Sequence, residues 1–198
     1  MKIRIAIISL FTLIAAFTHA QKHYHTSLQS FQDKYVREHE VVKGDDQKYF
    51  RFFPIDKAYK VKARFVRIID TTGFIMKTSG KKTPRYFKYG TLTFKIRDTL
   101  LHLTVYQSEN LKATDKYKDY LFVPYTDLTS GEESYGGGRY IDFLISDIRD
   151  NKLWLDFNKA YNPNCAYTAG YNCPIPPREN DLGIFIRAGE MMFGKEHP

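Results

Sequence analysis

The sequence predicts a mainly β fold, a single antiparallel barrel, roll or sandwich with a short N-terminal helix and long irregular C-terminal loops. Three observations lead there. Segments between Tyr59 and Phe157 alternate apolar and polar residues with period two. Turn-forming residues separate these segments. No strand–helix–strand alternation of the kind that builds a parallel sheet interrupts them. Hydrophobic residues make up 43% of the 198 residues and aromatics 16%, enough to fill a core.

The chain opens with Lys2 and Arg4, followed by an apolar run of about 13 residues from Ile5 to Phe17 and then Thr18-His19-Ala20. This is the pattern of a secretory signal cut after Ala20, too short for a stable membrane anchor. The expected mature protein spans 21–198 as one β-rich domain, is exported to the periplasm or beyond, and has no transmembrane segment. Removing Lys2 and Arg4 lowers the formal charge from +8 to +6. An exported basic protein meets anionic envelope components, and no nucleic-acid-binding motif accompanies the charge.

The elements follow in order. In TSLQSFQDKYVREHE, Leu28, Phe31 and Tyr35 recur at helical spacing, and Thr26 with Gln29 suggests a capping box. Val61, Ala63 and Phe65 alternate with Lys60, Lys62 and Arg64, a strand with one buried and one wet face. TLTFKIRDTLLHLTVY reads as a hairpin that buries Leu92, Phe94 and Ile96 with Leu101, Leu103 and Val105, and turns at Arg97-Asp98-Thr99. YLFVPY, YIDFLIS and KLWLDFN are further strands, the last two joined through Asp150-Asn151, and LGIFIRAGE is a short final strand.

Two irregular segments concentrate the special chemistry. The first, TDLTSGEESYGGGR, places three glycines beside Tyr135 and Arg139. It has neither the nucleophile-elbow frame nor the lysine of a phosphate-binding loop, although its backbone amides could form an anion nest. The second runs from Leu155 to Asn180. Asp156 and Asn158 lie two apart, as on one strand face, and Asn162-Pro163 marks a turn. Cys165 and Cys173, eight apart in an exported chain, most simply form a disulfide; a free thiol pair or metal ligation are the alternatives, and no histidine lies nearby to complete a metal site. Pro174, Pro176 and Pro177 form a stiff lead into Arg178-Glu179-Asn180.

SGEESYGGGRY, LDFNKAYNPNCAYTAGYNCPIPPREN and IRAGE, with YFRFFPIDKAYKVKARFV upstream, resemble bacterial and archaeal proteins of domain-of-unknown-function family 1684. The resemblance runs from Tyr49 to Glu190, most of the mature chain. Asn164 stands where many relatives have proline, and Tyr167 where phenylalanine is common. The resemblance implies kinship and no particular activity.

Three functions compete. The preferred expectation is binding of a small polar, anionic or glycan-like ligand in a loop-lined pocket formed by Tyr135, Arg139, Asp156, Asn158, Asn162, Glu179, Asn180 and Glu190, with Arg139 gripping an anion. The second is a hydrolase or lyase acting on an envelope component, using Asp156 with Glu179 or Glu190 as acid and base. The third is a ligand-free structural role in which these residues brace the loops, with Arg139 paired to Asp156. No cofactor or metal signature is visible.

Overall fold

The computed structural model describes residues 21–195. The expected signal at residues 1–20 lies outside them. The chain folds as a helix packed on an antiparallel curled sheet, a half-barrel. The helix, α1, covers described residues 21–38. The strands are β1 (Lys60–Arg67), β2 (Phe74–Ile75), β3 (Arg85–Ile96), β4 (Thr99–Ser108), β5 (Tyr120–Asp127), β6 (Arg139–Leu144), β7 (Lys152–Asp156) and β8 (Asp181–Leu182), with a single-turn helix, α2 (Glu109–Lys112), after β4. The hydrogen-bonded order is β6-β5-β4-β3-β1-β7, with β2 beside β3 and β8 parallel to β5.

This order makes β6 and β7 the two ends of the path although they are consecutive in sequence. A 3-10 turn at Ile145–Asp147 and a tight turn at Asp150 and Asn151, both at positive φ, carry the chain between them. The half-barrel is open along that line.

The concave side is filled by the alternation read from the sequence. Ala63, Phe65, Leu92, Phe94, Ile96, Leu101, Leu103, Val105, Leu153 and Leu155 are all buried there, joined by Leu121, Val123, Tyr125 and Phe157. Phe157 meets Phe94 and Tyr125, so the end of β7 is tied to β3 and β5 across the core.

The β4–β5 seam is the weak point of the ladder: only Tyr106 and Phe122 pair in register. Pro124 has no N–H to donate. Asn180 fills the gap, accepting from Thr104 N and donating to the carbonyls of Thr104 and Pro124. The stiff proline lead therefore delivers an amide that stitches two strands.

Four local expectations need correction. Thr26 does not cap α1, because the helix already runs from residue 21, and its hydroxyl bonds back to Lys22 O. Phe31 is 40% exposed; the packed stripe is Tyr24, Leu28, Gln32, Tyr35 and His39. Asn158 lies in a 3-10 turn after β7 rather than on its strand face. LGIFIRAGE forms a strand only at its first residue; most of it is irregular, because its carbonyls serve the arginine described below.

Cys165 and Cys173 are joined as a disulfide, and the segment after it pairs with residues 77–79 through Ser79 N to Cys173 O and Ile175 N to Lys77 O. The loop has little regular structure of its own, so its order depends on these ties. Replacing both cysteines by serine should lower stability by about 2.5 kcal/mol, the chain-entropy value for so short a loop. Urea unfolding of the double variant against the oxidised protein measures this, and an unchanged midpoint would mean that the backbone ties suffice.

Candidate functional site

Arg139, at the start of β6, is wholly buried. Its guanidinium donates to Asp127 Oδ2 at 2.7 Å and to the carbonyls of Ile186, Ala188 and Glu190 at 2.8, 2.5 and 3.2 Å. Its carboxylate partner is therefore Asp127, not Asp156 as expected. The planar fork is spent on the protein itself, clamping the C-terminal segment to the end of the sheet. Gly189 in that segment has φ of +77°, and a Cβ there would lie 2.6 Å from the carbonyls of Phe157 and Ala160.

The clamped segment delivers Glu190 into the interior. Its carboxylate accepts from Asn162 N at 2.9 Å, Tyr35 O–H at 3.1 Å and Tyr167 O–H at 2.7 Å. Burial pushes its carboxyl up to about 7, against the pull of these donors. Asn162 also donates to Met191 O. A second tie fixes the front of α1: Tyr24 O–H donates to Asp156, and Asn158 donates to Tyr24 and to Asp56 O.

The other expected site residues lie apart from these. Tyr135 is half-buried in a small cluster with Val42, Ala166 and Tyr167. Glu179 accepts from Tyr106 O–H and pairs with Lys88 on the far side of the sheet. Asn180 stitches β4 to β5. The eight residues thus divide among several bracing networks.

The open space lies elsewhere. On the convex face, beside β5 and β6, a cleft of about 280 Å³ is walled by Tyr86, Tyr117, Tyr120, Phe122, Tyr140 and Pro174, with Asp142 and Tyr161 among its polar groups. Phe122 packs edge-on to Tyr140, and Tyr140 edge-on to Tyr161. Tyr161 is held by reciprocal backbone hydrogen bonds with Tyr140, which set its side chain over Asp142. Its hydroxyl donates to Asp142 Oδ2. Asp142 is open to solvent by surface area yet enclosed by the cleft walls, and this enclosure raises its carboxyl to about 6 while Tyr161 pulls it down.

Two further clefts adjoin the first. Tyr120 and Tyr161 also border a hollow of about 620 Å³ against α1, lined by Phe31, Lys34, Tyr35, Glu38 and Asn162. Asp142 also borders a cleft of about 290 Å³ along the open line between β6 and β7, with Lys60, Trp154, Asp156 and Lys159. Neither lysine forms an ion pair with Asp142 among the described residues. Asp156 and Asn162 are the expected site residues that reach this connected space.

Sequence reasoning passed over Asp142, Tyr161 and Asp127. Asp142 is the lone acid in the apolar run YIDFLIS, which marks it only as an outward strand position. Its value comes from Tyr161, 19 residues later, which no spacing rule connects to it. Among the described residues no cluster of three or more metal-ligating side chains occurs, and no helix is long and apolar enough to cross a membrane.

A family model described as a protein of unknown function, DUF1684, matches residues 46–191. No functionally curated protein matches the chain. The fold is similar to the solution NMR structure of an uncharacterised protein from Haloarcula marismortui, with 30% identity, a TM-score of 0.65, and coverage of 87% of this chain and 96% of that one.

Glu190 makes stability pH-dependent. Its folded pKa, about 7, lies above the ordinary 4.5, so between these values the folded protein keeps a proton that the unfolded chain has lost. Stability is highest at the acidic end of that window and falls as pH rises through it, by up to about 1.4 kcal/mol per pH unit. Asp142 leans the same way, so the Glu190→Gln variant isolates the Glu190 share. Urea midpoints at pH 5 and 7.5 should differ less in this variant than in the wild type; equal differences would refute the assignment.

Proposed function

The chain belongs to the DUF1684 family, which has no assigned activity, and from the geometry of its clefts we propose that it binds a small ligand bearing an organic ammonium group in the tyrosine-walled cleft over Asp142. One observation carries this reading: a carboxylate that accepts from a single hydroxyl and forms no ion pair among the described residues lies in a cleft faced by aromatic rings. Aromatic faces and a carboxylate both attract a cation and exclude an anion, and the rings repay its lost hydration.

The anionic ligand anticipated from the sequence required Arg139 to face solvent. Wholly buried and bonded to Asp127 and three backbone carbonyls, Arg139 lends that reading no support. The catalytic pairing of Asp156 with Glu179 or Glu190 is equally unsupported, since Glu179 is taken by Tyr106 and Lys88 and Glu190 is wholly buried. For Arg139, Asn158, Asn180 and Glu190 the contacts favour the bracing role.

Tetramethylammonium, acetate and a neutral monosaccharide make a direct test, read by chemical-shift changes of the cleft tyrosines. The ammonium ion should bind best and should bind more tightly as pH rises through about 6, when Asp142 ionises. The other titratable groups around the clefts include Tyr86, Tyr140 and Tyr161, which burial raises, His39, which burial lowers to about 4, Lys34, Glu38 and Glu40 beside α1, and the Lys60, Asp147, Asp156 and Lys159 side of the adjoining cleft. Asp142→Asn should weaken binding at least tenfold and abolish its pH dependence, and Tyr120→Ala should weaken it severalfold. Preferential binding of acetate or the sugar would overturn the proposal.

We also read residues 1–20 as an export signal, supported by the disulfide and by the charged start followed by an apolar run. Protein secreted by a host able to process such signals should begin at Gln21. An N-terminal sequence starting at Met1 would refute this.

A further inference from the structure

The convex face carries a second feature, on β7, β1 and β3, which meets Asp142 along the cleft between β6 and β7. Outward positions of β7, β1 and β3 bring together Lys152, Trp154, Lys60, Lys62, Arg64 and Lys95. Across the β1–β7 ladder Arg64 stands directly opposite Lys152, and Lys62 opposite Trp154. Like charges facing each other across strands weaken a sheet, so this pairing works against the fold. None of the five cations forms an ion pair among the described residues. The acid at an outward position on this stretch of β7, β1 and β3 is Asp156, and it is occupied by Tyr24.

Trp154, the single tryptophan of the chain, is 60% exposed on the edge strand β7 of this face. Lys60 and Lys62 lie 5.9 and 5.8 Å from its ring. Val66 beside them is 47% exposed. Lysines on an edge strand discourage sheet-to-sheet aggregation, which explains Lys152 on its own. That need does not explain an exposed tryptophan, because an uncovered indole promotes the contact the lysines would prevent.

From this arrangement we propose that the β1–β7 face docks on an anionic lipid surface, with Trp154 seated at the headgroup level and Lys60, Lys62, Arg64, Lys95 and Lys152 over lipid phosphates. The indole suits a boundary that is apolar on one side and wet on the other. The lysine stems cover apolar surface while their ammonium groups reach the phosphates. Each cation near such a surface strengthens binding about fivefold at moderate salt. The face is built from the outward rows of a curled sheet, which suits a surface better than a chain laid in a groove. Docked this way, the protein places the β6–β7 cleft that Asp142 shares with Lys60 and Trp154 next to the lipid, while none of the six docking residues lines the tyrosine-walled cleft.

Vesicle co-sedimentation tests the proposal on the full chain. Vesicles of phosphatidylcholine alone are compared with vesicles containing about a third phosphatidylglycerol, at low and high salt. Wild-type protein should pellet with the anionic vesicles at least tenfold more readily, and salt should remove most of the difference. Lys62→Glu with Arg64→Glu should abolish the preference for anionic lipid. Trp154→Ala should reduce binding severalfold, and Trp154 emission should shift to the blue on binding. Circular dichroism confirms that each variant is folded. Equal binding to both vesicle types, charge-reversed variants that bind like wild type, or preferential competition by a soluble acidic polysaccharide would overturn it.

Discussion

The buried fork of Arg139 on Asp127 is the constraint from which the architecture around the clefts follows. A charge with no exposed surface is tolerable only when it is paired and hydrogen-bonded. Arg139 meets that demand through its two terminal nitrogens, which take the carboxylate of Asp127 and three backbone carbonyls of the chain between Ile186 and Glu190, while its Nε has no hydrogen-bond partner among the described residues. Its remaining edge lies against the rings of Tyr125 and Phe53, 5.4 and 5.7 Å from the guanidinium carbon. The segment that supplies the carbonyls cannot also be a regular strand. The guanidinium, rather than a neighbouring strand, orders this part of the backbone.

Once that segment is fixed, Glu190 has nowhere to point but inward, and its carboxylate becomes the meeting point for α1 through Tyr35, the disulfide loop through Tyr167, and the turn after β7 through Asn162. The helix is thus held to the half-barrel at two polar points, Tyr24 near its front and Tyr35 one face-repeat short of its end. The hollow between α1 and Tyr161 lies beside the second of these ties, and Tyr35, which braces the fold there, also lines the hollow.

The strands were legible because each is a half-buried surface written in period two, and the side that faces the core depends only on that alternation. The hairpin Leu92 to Val105 and the turn at Asp150-Asn151 follow from local residues alone. The site was not legible in the same way. Special residues such as Arg139, Asn158, Asn180 and Glu190 stand out in the sequence, and they do occupy exacting positions, but the exacting task is internal satisfaction of buried polar groups. Asp142 and Tyr161 look ordinary, an acid in a strand and a tyrosine before Asn-Pro, and they acquire chemistry only when Tyr161 runs alongside β6. Sequence patterns mark residues whose own geometry is unusual; a cleft is made by partners distant in sequence.

This division carries a consequence for how function attaches to the fold. The strings that identify the family, GGGRY, LDFNKAYNP and IRAGE, map onto the clamp, the helix ties and the carbonyls that the clamp requires. They carry residues that brace the scaffold. Tyr140 and Tyr161, which help wall the Asp142 cleft, lie inside those strings, whereas Tyr86, Tyr117, Tyr120, Asp142 and Trp154 lie outside them. The cleft over Asp142 is therefore walled partly by residues of the bracing segments themselves and partly by outward strand positions, where side chains can change at little cost to the core.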